Sequence, residues 1–160
     1  MPLKYLKHLE LSENKIRQME ADDFKGEALF LRVFVLQYMY LKGNFLNDFV
    51  WIRFDARLSS TRAGMDSLDQ LTLNHNKLEH LGAGFFRGLN ALTTLYVDHN
   101  QIQTVNKDAF EGLEDSLTSL TLTGNQIQEF PMLALRRIHR LQSLHLDDNK
   151  VSCTSTMKST

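Results

Sequence analysis

Histidines and carboxylates recur close together in the C-terminal half of the chain, and these residue types can bind metal ions or transfer protons. Asp98 directly precedes His99, and the pair His145 and Asp147 follows further along the chain; His75 precedes them all. Zinc binds imidazole and carboxylate groups when they converge on one point. These residues are instead spaced evenly along the chain, with nothing to supply a second shell of hydrogen bonds. We therefore predict no metal site.

Catalytic signatures are missing from the sequence as well. It contains no nucleophile–base pair assignable to a pocket, no glycine-rich phosphate loop and no paired buried carboxylates. We predict neither a cofactor nor a catalytic centre, and hence a chain that is not an enzyme.

The spacing of the chemically interesting residues follows a repeat. The stretch Leu117–Phe130, LTSLTLTGNQIQEF, places its apolar residues and Asn125 in the order L-x-x-L-x-L-x-x-N-x-I. The same pattern begins at Leu6, Leu68, Leu92 and Leu141, and the steps from Leu68 onward are nearly constant. This spacing is the leucine-rich-repeat signature.

Each position of the repeat has a structural role. Alternation of period two in Leu120-Thr121-Leu122 predicts a short strand with its leucines in the core. Asn125 follows where the chain turns, and its amide can satisfy backbone groups of neighbouring coils. The fold class is therefore α/β: a right-handed solenoid with parallel strands near 70–72, 94–96, 119–121 and 143–145 on its concave face. Ile127 and Phe130 are expected to return to the core, followed by irregular or short helical convex segments.

Phenylalanines mark the convex segments. Each lies five positions after the last apolar residue of its repeat template, and together they are expected to stack as a second row of core residues; they are Phe24, Phe86 and Phe110. In the last return, FPMLALRRIHRL, the spacing of the apolar residues after Pro131 predicts one face of a helical turn. Three arginines then point outward. They form either a solvated convex face, which we favour, or a basic docking patch; they are Arg136, Arg137 and Arg140.

The pattern breaks between positions 26 and 64, in an aromatic-rich stretch that contains Trp51. Two registers can be fitted to it: Phe30, Val33, Val35 and Tyr40, or Leu31, Phe34, Leu36 and Leu41. The first register places Tyr38 at the position of the repeat asparagine, and the second places Met39 there. Neither register therefore continues the row of asparagines. The stretch is therefore at best one degenerate coil plus an insertion. It is either a ligand-binding loop or a non-homologous segment from alternative splicing or a retained intron, and we favour the second. We expect it to uncouple the first coil from the rest.

The predicted domains follow from these breaks. They are residues 1–26, one repeat; 27–63, an irregular insertion or degenerate repeat; 64–151, a repeat solenoid; and 152–160, a disordered tail. Because the chain begins and ends within a repeat, without caps, we expect a fragment or truncated isoform.

Composition narrows the possible partners. The net charge is −1, which gives no electrostatic argument for nucleic acid or an anionic membrane. The single cysteine, Cys153, excludes an internal disulfide. The longest apolar run, 29–41, is too short to span a bilayer. We predict a protein ligand, no nucleic acid and no membrane insertion by this chain.

The pattern L-x-x-L-x-L-x-x-N-x-I with F-x-G-L returns resembles the typical class of extracellular leucine-rich-repeat proteins. The sequence LTSLTLTGNQIQEF followed by LQSLHLDDNKV is similar to the repeats of chaoptin-like adhesion proteins. The resemblance implies secretion or membrane anchorage and protein recognition through the concave face. This chain departs from the family in having no cysteine-rich caps, signal peptide or N-x-S/T sequon, so a cytoplasmic adaptor is the alternative.

In this architecture the residues between the strand leucines form rows on the concave face. Tyr96 has the character of an interface anchor, because it combines a large contact area with a hydroxyl. The predicted partner-binding residues are Thr72, Asn74, His75, Tyr96, Asp98, His99, Thr121, Thr123, His145 and Asp147.

Overall fold

The computed structural model describes residues 6–17, 36–47 and 67–152. Its elements are β1 (His8–Glu10), β2 (Tyr38–Tyr40), β3 (Gln70–Thr72), β4 (His80–Leu81), β5 (Thr94–Tyr96), β6 (Thr104–Val105), β7 (Ser119–Thr121), α1 (Met132–Leu135) and β8 (Ser143–His145). One six-stranded sheet has the order β1–β2–β3–β5–β7–β8, and a two-stranded sheet joins β4 to β6. All of these pairings are parallel. The chain is a leucine-rich-repeat solenoid, and the four predicted strands are confirmed.

The core is built from the inward residue of each strand and its apolar neighbours. Leu71, Leu95 and Leu120 are paired in register and at most 2% exposed. Leu9 and Leu144, on the outermost strands, are only half-buried. A coil therefore buries its apolar side fully only when coils flank it on both sides.

The convex side carries the predicted phenylalanine spine. Phe86 and Phe110 stack with ring centroids 5.9 Å apart and ring planes within 2°. Their turns are closed by N–H groups that donate to carbonyls three positions earlier, as Leu89 does to Phe86. Phe24 lies outside the described residues.

The asparagine ladder is continuous through the solenoid. The Nδ2 of Asn100 donates to the Val97 carbonyl of its own coil at 3.0 Å and to the Leu73 carbonyl of the preceding coil at 3.1 Å. Its Oδ1 accepts the Leu78 N–H at 3.2 Å. The ladder members Asn44, Asn76, Asn100 and Asn125 are 3–7% exposed. Each interior asparagine therefore links two coils by satisfying buried backbone of both.

Both repeat registers that the sequence suggested for residues 36–47 were wrong. Met39 pairs with Leu9 and Leu71, and Asn44 occupies the ladder position. The template actually reads Leu36, Met39, Leu41, Asn44 and Leu46, all of them buried. Strand β2 joins β1 to β3, so the first coil is not uncoupled from the others. The domain boundaries at 26 and 64 stay predictions, because residues 18–35, 48–66 and 153–160 lie outside the described part.

The last return differs from its prediction at one residue. Phe130 was expected in the core but is 45% exposed. Pro131 directly after it is buried, and α1 begins at Met132. The proline enters the position next to the core, and the phenylalanine ring stays outside. The predicted helical turn is present, with Leu135 and Ile138 buried.

Candidate functional site

The concave face of the six-stranded sheet carries four rows of outward side chains, which we number from the start of the strands. Row one is His8, Tyr38, Gln70, Thr94, Ser119 and Ser143; row two is Glu10, Tyr40, Thr72, Tyr96, Thr121 and His145. After the strands, row three is Ser12, Lys42, Asn74, Asp98, Thr123 and Asp147, and row four is Glu13, Gly43, His75, His99, Gly124 and Asp148. Neighbouring strands are ~4.8 Å apart, so consecutive members of a row are within contact distance.

The aromatic content of this face is larger than the sequence reasoning allowed. Tyr96 is the one aromatic residue other than histidine among the predicted binding residues, whereas Tyr38 and Tyr40 also lie on this face. Tyr38 stacks on His8 with ring centroids 4.5 Å apart and an interplanar angle of 14°. The signal that could have found both tyrosines is the repeat register beginning at Leu36, which places them on either side of Met39.

Asp98 is a carboxylate that the fold itself holds in place. Its Oδ2 accepts the Thr121 hydroxyl at 2.6 Å, and its Oδ1 accepts the Thr123 N–H at 2.9 Å. The Asp98 N–H in turn donates to Oδ1 of Asn74 at 2.8 Å. Four of the predicted binding residues therefore form one hydrogen-bonded chain across three coils. The position of the Asp98 carboxylate is set before any partner arrives.

His75 and His99 stack in row four, with ring centroids 4.7 Å apart. Both have φ values above +50°, in the left-handed region that non-glycine residues rarely adopt. Gly124 continues the row with φ +67°, and a Cβ there would come within 2.4 Å of His99 Nδ1. Within the described ranges no group of three or more metal-ligating side chains converges.

Carboxylates also lie at both ends of the face. His145 Nδ1 is 3.7 Å from Oδ2 of Asp147, and His145 Nε2 is 3.1 Å from the Ser143 hydroxyl. At the other end, hydrogen bonds from the Ser12 hydroxyl and N–H lower the pKa of Glu10. The lowered pKa favours the charged form of Glu10.

Two of the three convex arginines contact acidic residues of the preceding coil. Arg137 pairs with Asp108 and also lies 3.7 Å from Glu114. Arg140 donates to the Asp115 carbonyl at 3.4 Å. The ion pairs of Arg137 offset part of the positive charge of this segment, as expected for the favoured interpretation, a solvated face of mixed charge.

All ten predicted binding residues lie in rows two to four of the concave face. The structure joins Asn74, Asp98, Thr121 and Thr123 by hydrogen bonds, and it brings His75 onto His99 and His145 next to Asp147. Tyr96 stands between Thr72 and Thr121. That these residues bind a partner stays a prediction.

Comparison with known proteins agrees with this architecture. The family model described as leucine rich repeat matches residues 66–127 and 94–151, together more than half of the 160 residues. Lumican of Gallus gallus is 30% identical over 86 residues, which are 54% of this chain and 24% of lumican. The matched part thus spans about a quarter of the length of that relative. Among the described helices, none has the length and apolar character needed to cross a bilayer.

The repeat template, the buried asparagine ladder and the matched family model lead to the same assignment. The two matches of the family model together include every coil between positions 67 and 151. The buried asparagines of the ladder lie in the same coils. The chain belongs to the leucine-rich-repeat family.

Proposed function

We propose that this chain is a non-enzymatic recognition module that binds a protein ligand through its concave face, in cell adhesion or as part of a receptor. Leucine-rich repeats are protein-interaction modules, and the finer assignment rests on the face itself. The observation that carries it is a preformed polar surface: six strands in one sheet align their outward residues in rows, and internal hydrogen bonds already hold Asp98 in place. A preorganised surface loses little conformational entropy on binding.

Tyr96 is the proposed anchor of that surface. It is half-buried near the centre of row two, with Thr72 and Thr121 on its two sides. Central tyrosines contribute large area at low entropy cost, and hot spots concentrate at such positions. The other nine predicted residues surround it or extend the rows toward β8.

Site-directed photo-crosslinking tests the location of the site. A benzoylphenylalanine placed at Tyr96 should capture a protein from extracts of expressing tissue, whereas the same group at Arg136 on the convex side should not. Once the partner is isolated, Tyr96→Ala should weaken it by ~1–2 kcal/mol or more. Arg136→Ala should leave the affinity nearly unchanged. The reverse pattern would move the site to the convex helical turn.

We further propose the extracellular, chaoptin-like class and a location outside the cell or on its surface. The support is the repeat sequence, which follows the typical pattern and has F-x-G-L in its convex segments. The alternative is a cytoplasmic adaptor, which the low cysteine content of this chain favours. Antibody staining of intact and permeabilised cells decides between them, since staining that requires permeabilisation contradicts the surface location.

The domain division is kept as a proposal, with residues 64–151 as the main unit. The coil at 36–47 is added to the same concave face, since β2 pairs with β3. The proposed binding surface therefore includes Tyr38 and Tyr40.

A further inference from the structure

The asparagine ladder follows one rule at every junction between described coils. The Oδ1 of each ladder asparagine accepts the N–H of the residue two positions after the asparagine of the preceding coil. Asn76 accepts from Leu46 at 3.1 Å, and Asn125 accepts from Ile102 at 3.1 Å. The donors at the other three junctions are Ile16, Leu78 and Ile127, and their acceptors are Asn44, Asn100 and Asn149. Each coil therefore receives a ladder acceptor from the coil that follows it.

The two outermost described coils each lack one half of this contact. Asn14 donates through Nδ2 to carbonyls of its own coil, and no described N–H donates to its Oδ1. Its side chain is exposed, in contrast to the buried Asn44 of the next coil. At the other end, the Val151 N–H is the equivalent of the Ile127 N–H, and no described group accepts it. The first coil thus offers an acceptor, and the last coil offers the matching donor.

The two edges of the six-stranded sheet are complementary in the same way. At each junction an N–H directly after one strand donates to a carbonyl of the next strand. Leu11 donates to Tyr40 at 2.9 Å, and Leu122 donates to His145 at 2.8 Å. The Leu146 N–H is the next donor in this series, and no described carbonyl accepts it. The equivalent acceptor on β1 is the Glu10 carbonyl, and β1 has no described strand on that side.

Core residues at both ends of the described solenoid are only half-buried. They are Leu9 and Leu11 at the β1 end, and Leu144 and Leu146 at the β8 end. Their counterparts in the interior coils are at most 2% exposed; they are Met39, Leu41, Leu71, Leu73, Leu95, Val97, Leu120 and Leu122. A further coil stacked against either end would remove this apolar surface from water, which is favourable.

We propose that a second copy of this chain stacks head to tail on the solenoid, so that its β1 pairs in parallel with β8. The second copy's Asn14 accepts the Val151 N–H, and its Glu10 carbonyl accepts the Leu146 N–H. The β8 end requires an apolar strand followed by an asparagine at the repeat spacing, and the β1 coil meets this requirement. The inference concerns the two ends of the solenoid and does not depend on the proposed function of the concave face.

The contact joins two different surfaces, so each added copy leaves one end of each kind free. Association of this type continues without a fixed number of subunits unless it closes into a ring. The register also places the second copy's Lys15 beside Lys150 and its Glu13 beside Asp148. These like charges weaken the association.

The lysine position provides a test of the register. Side chains at this position of neighbouring coils touch each other, since Lys77 Nζ lies 4.8 Å from the centre of the Phe45 ring. A charge change at Lys15 of one copy should therefore be felt by Lys150 of the next.

Sedimentation velocity of the full chain over a concentration series tests the association. The weight-average sedimentation coefficient should rise with concentration and should not level off at the value of a dimer. A monomer at every concentration would overturn the proposal, and it is the result expected if residues outside the described ranges cover either end. A plateau at the dimer would overturn head-to-tail stacking.

A charge exchange tests the register in the same measurement. Lys150→Glu and Lys15→Glu should each strengthen the association about two- to fivefold, because each creates a pair of opposite charges. The double variant restores a pair of like charges and should lose the gain. Lys107→Glu makes the same charge change at a convex side chain that is 69% exposed, and it should have no effect. A gain in Lys107→Glu, or the sum of both gains in the double variant, would overturn the register.

Asn14→Ala tests the ladder contact between copies. It removes the acceptor for the Val151 N–H and should weaken the association at least about fivefold. The amide signal of Leu11, which bonds to Tyr40, shows in an NMR spectrum whether the first coil stays folded. Unchanged association of a folded Asn14 variant would refute the contact.

Discussion

The first two coils and the last four differ in sequence spacing but not in strand geometry. Strands β1, β2 and β3 begin at His8, Tyr38 and Gln70, whereas the later strands β5, β7 and β8 follow β3 at shorter and nearly equal steps, at Thr94, Ser119 and Ser143. Yet the Leu41 N–H donates to the Thr72 carbonyl at 2.8 Å, as the Leu73 N–H does to Tyr96.

The comparison separates what defines a coil from what merely connects coils. The strand and its asparagine make the hydrogen bonds that link one coil to the next on the concave side, so they set the register. The length of the return can vary without changing the register, because loop length adds only slowly to the entropic cost. If this is correct, equivalent substitutions in the two regions should have equivalent effects.

The largest effect should come from the core. Met39 is 1% exposed and Leu95 is 0% exposed. Met39→Ala and Leu95→Ala should each lower the free energy of unfolding by about 2–5 kcal/mol, because each leaves a cavity. Urea unfolding followed by circular dichroism measures both. Leu133→Ala, at a residue that is 53% exposed, is the control and should change it by less than ~0.5 kcal/mol. A Met39 variant that behaves like the control would place the second coil outside the core.

A smaller loss should come from the ladder. Asn44 Nδ2 donates to the Leu11 and Leu41 carbonyls, and Asn100 makes the equivalent pair of bonds. Asn44→Ala and Asn100→Ala should each cost about 1–3 kcal/mol through unpaired buried backbone. Asn14 is exposed and bonds to Leu11 and Ser12 of its own coil. In the same urea measurement Asn14→Ala should therefore cost less than either, and a ranking with Asn14 first would contradict the ladder.

The smallest loss of stability is expected at the two glycines of row four, and it should differ between them. Gly43 and Gly124 have φ values of +69° and +67°. A Cβ at Gly124 meets the stacked ring of His99, whereas one at Gly43 meets the exposed end of the Glu13 side chain, which can swing away. Gly124→Ala should cost about 1 kcal/mol or more, and Gly43→Ala somewhat less. Gly82→Ala, where a Cβ meets nothing within 4 Å, should be close to neutral, and the thermal unfolding of the three variants measures all of these differences. An equal loss of stability at all three glycines would contradict the expectation that positive φ and the contacts of the added Cβ determine the effect.

The regular coils could be predicted from the sequence because one template fits them at near-constant intervals. Leu71, Leu95 and Leu120 were placed in the core, and the asparagines after them in the ladder, as observed. Leu36 and Met39 were misplaced because the interval was assumed to be constant. The pattern around Asn44 was present, but methionine replaces the expected leucine, and β2 starts further from β1 than a regular coil would place it.

The site was predictable only in part for the same reason. Tyr96 follows from a regular coil, whereas the positions of Tyr38 and Tyr40 on the same face depend on the register of β2. Phe130 shows a second limit: apolar periodicity predicted burial, but Pro131 takes the buried position and leaves the ring 45% exposed. Hydrogen bonds between side chains of different coils, such as Thr121 to Asp98, depend on coordinates that no single repeat encodes.

Amide hydrogen exchange at Leu41 tests most directly whether the second coil is a full member of the sheet. Its N–H bonds to the Thr72 carbonyl at 2.8 Å, and the Leu73 N–H makes the equivalent bond to Tyr96. Both amides should exchange far more slowly than the unfolded chain under native conditions, with similar protection, because one continuous sheet opens them together. Exchange of Leu41 at the unfolded rate while Leu73 stays protected would show that the first two coils do not join the solenoid.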